Sequence, residues 1–492
     1  MGIVINQSIK NTAITYIGFG IGAINALFLY TNFLGKLHYG MVAFLLSAAN
    51  IMMPLMSFGV QNTLIRFYSR YKNIEERERF MSFMLIMPIF LIIPVTALSY
   101  VFYDKIAFFV LQKNPEIMPF LWIIPVIGIF MGYFEIYFAW VRVQLKSVFG
   151  NFISEVLVRV IILLMLFGVH FDLLTKNDFI YGLVLAYFLQ FIIMKIYACR
   201  VKMPVLRFSI PPEWKQLFGY SAFIILSGSV AVLLIDFDKV MIPNYIKIEN
   251  NALYSVAIFI ATVIVVPSRA MLQILNPITA KLINDNKFQE LNDLYKKSAI
   301  NLQLFGGLIM LGIFLNINQL YLLIPSEYSG GISVVFIIGL SKFYDVVLGN
   351  NNAILLNTKY YRTVILFGLL LVFMMVVLNM LLIPPYGIVG SAWATLISVL
   401  IYNTIKLLFV VKKMNLYPFT IKTLYSFGII IVVFLGFYFW EFGFNPIINI
   451  ILKSVLITIA YLFLNYKLKI SIEINEIIKK TWIRILPKST LR

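Results

Sequence analysis

The chain has 492 residues, of which 61% are hydrophobic and 12% charged, with a net charge of +19. A soluble globular chain carries roughly half and a quarter, so this composition excludes one and predicts an integral membrane protein along its whole length. One cysteine, Cys199, and two distant histidines, His38 and His170, exclude an internal disulfide framework and argue against a His/Cys zinc site; no metal and no cofactor are expected.

Fourteen apolar runs reach or approach the length needed to cross a ~30 Å hydrocarbon core as helices. They lie near 9–33, 40–62, 81–103, 117–140, 151–171, 179–199, 216–236, 252–274, 299–317, 331–349, 363–383, 387–411, 424–441 and 446–465. No cleavable leader is expected, because Met1 to Gln7 lacks a basic start and the first run continues to about Phe33. The first run holds one cation, Lys10. The second opens on Tyr39-Gly40 and contains Pro54, which removes a backbone hydrogen bond and predicts a bend. The fourth carries Glu135 between Tyr133 and Tyr137. The fifth carries Arg159 four residues after Glu155, and the sixth carries Lys195. The seventh ends in 234–242, with Asp236, Asp238 and Lys239. The eighth holds Pro267 and Arg269, the tenth Lys342 and Asp345, the twelfth Lys406 and the fourteenth Lys453.

Basic residues set the orientation. The even-numbered loops and the C-terminal tail hold 27 Lys and Arg, the odd-numbered loops 6, and the runs themselves seven. By the positive-inside rule both termini face the cytoplasm. This bias accounts for the net charge without a nucleic-acid partner. The 276–298 segment places Leu282, Leu291 and Leu294 among charges and reads as an amphipathic surface helix. The tail from Lys467 reads either as solvated or as resting on anionic lipid. The outer loops are too short for a catalytic domain, so no enzyme is expected.

A weak internal repeat divides the chain. Tyr39-Gly40 with Pro54 corresponds to Tyr254-Ser255 with Pro267, six spans later. Tyr181-Gly182 corresponds to Tyr386-Gly387, and each is followed by a run with one lysine that ends in Lys-Met. Six is even, so the halves share one orientation and form a parallel repeat with the site between them. The predicted fold is an all-α polytopic membrane protein. Its two six-helix bundles, 1–203 and 204–414, are followed by two extra C-terminal helices in 415–465 and a basic tail, 466–492.

The run 382–398 joins Pro384-Pro385-Tyr386-Gly387 to a helix rich in small residues, Gly390, Ser391, Ala392 and Ala394. Such small residues let a neighbouring helix approach closely. This junction resembles that between helices 11 and 12 of the polysaccharide-unit (Wzx-type) flippases of the MOP superfamily, which also holds the MATE drug antiporters and the lipid II flippases. Asp236 to Lys239 with Tyr254-Ser-Val-Ala257, and Tyr16, Gly18, Gly35, Tyr39-Gly40 and Phe58-Gly59, resemble the same family. The resemblance spans about Ser8 to Lys413. It implies two bundles around a cavity with alternating access. It also implies a polyprenyl-pyrophosphate-linked oligosaccharide, flipped to the outer face of a bacterial inner membrane for O-antigen or exopolysaccharide assembly, with a polymerase and chain-length proteins as partners. Lipid II flippases have a strongly basic first helix, which this chain lacks.

A flippase makes no bonds; it needs cations for phosphate and polar groups for sugar. Arg159, Arg269 and Lys342 are the substrate-binding candidates, since an arginine fork can bond two phosphate oxygens at once. Arg159 lies too deep for easy snorkelling. Arg269 reads equally as an interfacial anchor, and Lys342 with Asp345 equally as a buried structural pair. Asp236, Asp238, Asp345 and Glu135 are the coupling-ion candidates. Glu135, read as unpaired, also suits a helix–helix hydrogen bond, and Asp236 to Lys239 also suits a helix end in the headgroups. Lys195 and Lys406 read as snorkelling, Lys453 as structural, and Asn350 to Asn352 as a cytoplasmic loop. Two competing functions are a cation-coupled drug antiporter of the same superfamily and a membrane polysaccharide polymerase or glycosyltransferase. The outer loops lack arginine, which argues against the latter.

Overall fold

A computed structural model describes residues 2–105, 112–203 and 210–476. Every regular element among them is helical, as a hydrocarbon solvent demands of an open chain: only a helix satisfies its own backbone polar groups. Among the described residues, eleven stretches are long and apolar enough to cross a membrane. Two of these, Lys10–Met56 and Leu366–Met414, each hold two of the predicted spans. The helix Trp214–Tyr245, 32 residues long, supplies the seventh. The protein is thus an all-α polytopic membrane protein, and among the described residues its helices accommodate the fourteen predicted spans.

Both double stretches turn at a glycine. Gly35 has φ +72° and ψ 174°, and nine residues of unbroken helix would separate Tyr30 from Tyr39 by about 13.5 Å along the axis. Their rings instead stack at 4.8 Å, so the arms lie side by side. Gly387 has φ 57° and ψ −136°, a region essentially closed to residues with a Cβ. Beyond it the arms touch backbone to backbone, since a Cβ on Gly390 would stand 1.9 Å from the Leu382 carbonyl oxygen. The turn expected from Pro384 and Pro385 is therefore made at Gly387, with both prolines in the preceding arm. The predicted bends also appear. Gly35–Met56 ends two residues after Pro54, and Pro267 follows a tight turn, Val263–Val265.

The described chain packs into two compact units, 1–256 with 376–391, and 257–375 with 392–492. The sequence division at 203/204 and 414/415 concerns the repeat of spans rather than packing, and stays a proposal. In the first unit Ile123–Arg142 lies between Gly35–Met56 and Lys176–Val201. Its Phe134, Tyr137 and Trp140 fill a core with Phe80, Met84 and Met194. Buried Asn114 locks the C-terminal end of Trp214–Tyr245: its Nδ2 donates to the carbonyls of Pro243 (2.7 Å) and Ile246 (3.0 Å), and its Oδ1 accepts from Ile248 N–H (2.7 Å). One amide thus satisfies the frayed end of Trp214–Tyr245.

In the second unit, Phe288–Tyr321 is the axis, 34 residues long. It absorbs half of the expected surface helix. Leu291 and Tyr295 are fully buried against Ile354, Leu355, Val410 and Leu416. The 276–298 segment therefore packs on protein and is not a separate helix on the membrane; its first part ends Val266–Asn284. The tail also docks. Ile470 and Ser471 are buried, Ser471 Oγ donates to Asn301 Oδ1 (2.6 Å), and Glu473 pairs with Lys297 (3.5 Å). The tail beyond 476 lies outside the described residues.

Candidate functional site

The seventh span brings its acids into the protein interior. Asp236 and Asp238 are 6% and 3% exposed, which removes the reading of a helix end in the headgroups. The helix runs on to Tyr245, so both acids lie within it. Asp236 accepts from Ser47 Oγ (2.8 Å), Asn50 Nδ2 (3.3 Å) and Lys239 Nζ (3.1 Å). Asp238 faces elsewhere: it accepts from the Tyr254 hydroxyl and from Asn379 Nδ2 at 2.9 Å. Asn379 Oδ1 in turn accepts from Ser391 Oγ (2.8 Å). These two residues sit on either arm of the Gly387 turn, so that turn exists in register with Asp238. A buried carboxylate with two or three donors avoids the cost of an unsatisfied charge.

Arg159 lies in the same unit, in a groove. Its Nη2 pairs with Glu155 at 3.1 Å, one helical turn away. Its chain passes over the first span, where a Cβ on Gly18 would come 3.0 Å from Nη1, and one on Gly22 3.5 Å from Cδ. Asn25 Nδ2 donates to the Arg159 carbonyl (2.9 Å). Glycines four apart clear one face of that span, and the guanidinium fills the space. Wide, π-helical turns at Ile24–Leu34 and Ile153–Leu157 flank the groove; such turns occur often at functional sites. Arg159 Nη1 is buried and has no hydrogen-bond partner among the described residues. Tyr187 stands within electrostatic reach of both Arg159 and Asp236.

The second unit holds a separate polar centre. Asp345 is exposed and accepts from Asn403 Nδ2 (3.0 Å). Lys342 is half-buried one turn before it. Lys406, expected to snorkel, is 1% exposed. It donates to Asn352 Oδ1 (2.7 Å) and lies 4.0 Å from the Tyr402 ring centroid. The polar Asn350 to Asn352 segment, expected as a loop, instead caps and begins a short helix pinned from inside. Asn350 Nδ2 donates to Thr279 Oγ1 (2.7 Å), and Asn351 Nδ2 to the Tyr295 hydroxyl (2.8 Å). Hydropathy missed this pocket because Lys406 sits one turn from the end of an apolar run, where a water-seeking reading costs nothing.

The remaining candidates lie apart from these centres. Glu135 is not unpaired: Arg142 reaches back two turns to it at 3.4 Å, lying over Phe138 on the way. Arg269 is exposed. Lys195 is exposed, in keeping with snorkelling, and Lys453 is buried. Among the described residues no three His, Cys, Asp or Glu side chains converge to hold a metal.

The whole fold has close counterparts among solved structures. The lipid II flippase MurJ, in an inward closed conformation, superposes with a TM-score of 0.72 at 17% identity, over 94% of this chain and 100% of that one. An inward-facing multidrug MATE transporter of the MOP superfamily gives 0.62 at 12% identity, over 81% and 97%. A MATE transporter of Vibrio cholerae gives 0.56 at 12%, over 84% and 98%. At such identities these matches speak for the fold alone. A search of curated protein sequences finds no match. The model of the polysaccharide biosynthesis protein family matches residues 5–283, more than half of the chain, and the protein belongs to that family.

Proposed function

We propose that this protein is a flippase. It moves polyprenyl-pyrophosphate-linked oligosaccharide units from the cytoplasmic to the outer leaflet of a bacterial inner membrane, for O-antigen or exopolysaccharide assembly. Family membership supports the pathway, and a fold shared with a lipid II flippase supports a lipid-linked cargo. A drug antiporter of the same fold has no need of the polysaccharide link. The charge bias supports cytoplasmic termini, and a polymerase and chain-length proteins are the partners that would take up the product.

Arg159 carries the reading. Nη2 of its guanidinium is spent on Glu155, while Nη1 is buried and has no hydrogen-bond partner among the described residues. A donor held so costs free energy until an anion takes it, and the planar fork suits two phosphoryl oxygens. Arg269 and Lys342 are the further cations for the head group. Asp236, Asp238, Asp345 and Glu135 are the acids that take up the ion used to reset the empty carrier.

The test is export in cells that depend on this protein. Arg159→Ala abolishes surface polysaccharide while the protein stays in the membrane, and Arg159→Lys restores part of it. Normal export by a membrane-inserted Arg159→Ala protein would reject the assignment.

A further inference from the structure

One basic cluster outside these centres is built differently from an ordinary positive-inside loop. After the left-handed turn at Gly59, Val60–Phe67 and Tyr68–Arg70 form a short amphipathic segment outside the spans. It is seated firmly on Trp214–Tyr245. Thr63 Oγ1 and Ser221 Oγ share a hydrogen bond of 2.6 Å, and a Cβ on Gly59 would stand 2.7 Å from the Ser221 carbonyl. Phe67 meets Tyr220 edge-on at 5.3 Å.

Two guanidinium groups rest on this base. The Arg66 carbon lies 4.4 Å from the Tyr220 centroid and 6.0 Å from that of Phe67; the Arg70 carbon lies 4.4 Å from Phe67. Both are therefore no more than about 10 Å apart. Both are exposed, and among the described residues neither has a carboxylate within ion-pair distance. Three other arginines of the unit already hold a partner. Arg142 and Arg159 hold glutamates, and Arg77 gives Nε and Nη2 to the Tyr71 carbonyl (2.9 and 2.8 Å). Tyr71 itself turns its hydroxyl to Glu213 (3.4 Å). Burial and that carboxylate push it up to about 12, so it adds no negative charge to the patch.

A ring under a guanidinium face fixes the plane and leaves the N–H edge open. Two such forks, one turn apart on a rigid base, make a receptor for two joined phosphoryl groups. A single phosphodiester engages only one. We propose that Arg66 and Arg70 form the cytoplasmic receiving site where the pyrophosphate of the lipid-linked substrate docks before transport. This rests on the flippase reading and on the topology in which the 63–80 loop is cytoplasmic.

The test uses the full-length protein in phosphatidylcholine nanodiscs, with farnesyl pyrophosphate as the probe. Each lost fork costs about tenfold in affinity, so Arg66→Gln/Arg70→Gln binds at least tenfold more weakly. Arg66→Lys/Arg70→Lys, which keeps the charge, falls between, and farnesyl monophosphate binds the wild type more weakly than the pyrophosphate. Wild-type affinity in the glutamine variant would overturn the site. So would full recovery by lysine together with equal competition from phosphatidylglycerol, which would mean a general anionic-lipid contact. Flipping is measured separately on the same samples. A probe site that depends on both arginines in a protein that flips nothing upholds the docking site and rejects the flippase reading. Wild-type probe affinity in a glutamine variant that still flips does the reverse.

Discussion

Removing Asp236 tests whether its pair with Lys239 holds the first unit together. Asp236 is 6% exposed and Lys239 Nζ sits 3.1 Å from it. Asp236→Ala leaves the ammonium half-buried without a carboxylate, and strips Ser47 and Asn50 of their acceptor. Breaking a buried pair from one side costs about 3–5 kcal/mol. Lys239→Met is milder, about 1–3 kcal/mol, because Ser47 and Asn50 still donate to the acid. Replacing both, as Asp236→Leu/Lys239→Met, removes the stranded charge and returns most of the loss. The assay is unfolding in mixed micelles with increasing dodecyl sulfate, followed by tryptophan fluorescence. The reasoning is refuted if Asp236→Ala lies within about 0.5 kcal/mol of wild type, or if the double variant is as unstable as the alanine.

Three further outcomes follow from the same geometry. Gly18→Val puts a branched side chain where even a Cβ lies 2.4 Å from the Glu155 carbonyl oxygen, so it spreads the groove and abolishes export as Arg159→Ala does; normal export by Gly18→Val would show that the groove is idle. In the tail, burial pushes the Glu473 carboxyl up, but its backbone hydrogen bond, Ser471 and Lys297 together hold it below its ordinary value. The docking of 468–476 is therefore fully stable above the ordinary glutamate range and weakens as pH falls through the lowered value. Hydrogen exchange of 468–476 follows this, and Glu473→Gln makes it flat with pH. Finally, Lys406→Met frees Asn352 and loosens the short helix Asn351–Leu356, read as faster exchange there; unchanged exchange would show that the bond carries no load.

The spanning helices were legible because they rest on local chemistry. Apolar length is read from neighbours in the chain, and Gly35 and Gly387 sit between spans where only turns fit. The pairing of Arg159 with Glu155 was also legible, since a spacing of four puts both on one helical face. What escaped depends on partners far apart. Ser47 and Asp236 are 189 residues apart, and Lys406 meets Asn352 across 54; no periodicity encodes either. Asn114 gave no signal at all, because an asparagine beside a proline reads as a loop whether or not it is buried. Glu135 and Arg142 share a face at a spacing of seven, two turns apart, beyond the three- or four-residue spacing at which helical neighbours ordinarily meet.

The most direct test of the flippase account is transport in sealed proteoliposomes carrying a fluorescent polyprenyl-pyrophosphate-linked oligosaccharide, with the potential clamped by potassium and valinomycin. A pyrophosphate diester carries about two negative charges, and each is worth roughly 2.3 kcal/mol per 100 mV if it crosses the whole field. The account predicts protein-dependent movement of the lipid-linked sugar away from the negative side, faster as that side becomes more negative, and lost in Arg159→Ala. Movement no faster than in protein-free vesicles at any potential would contradict it.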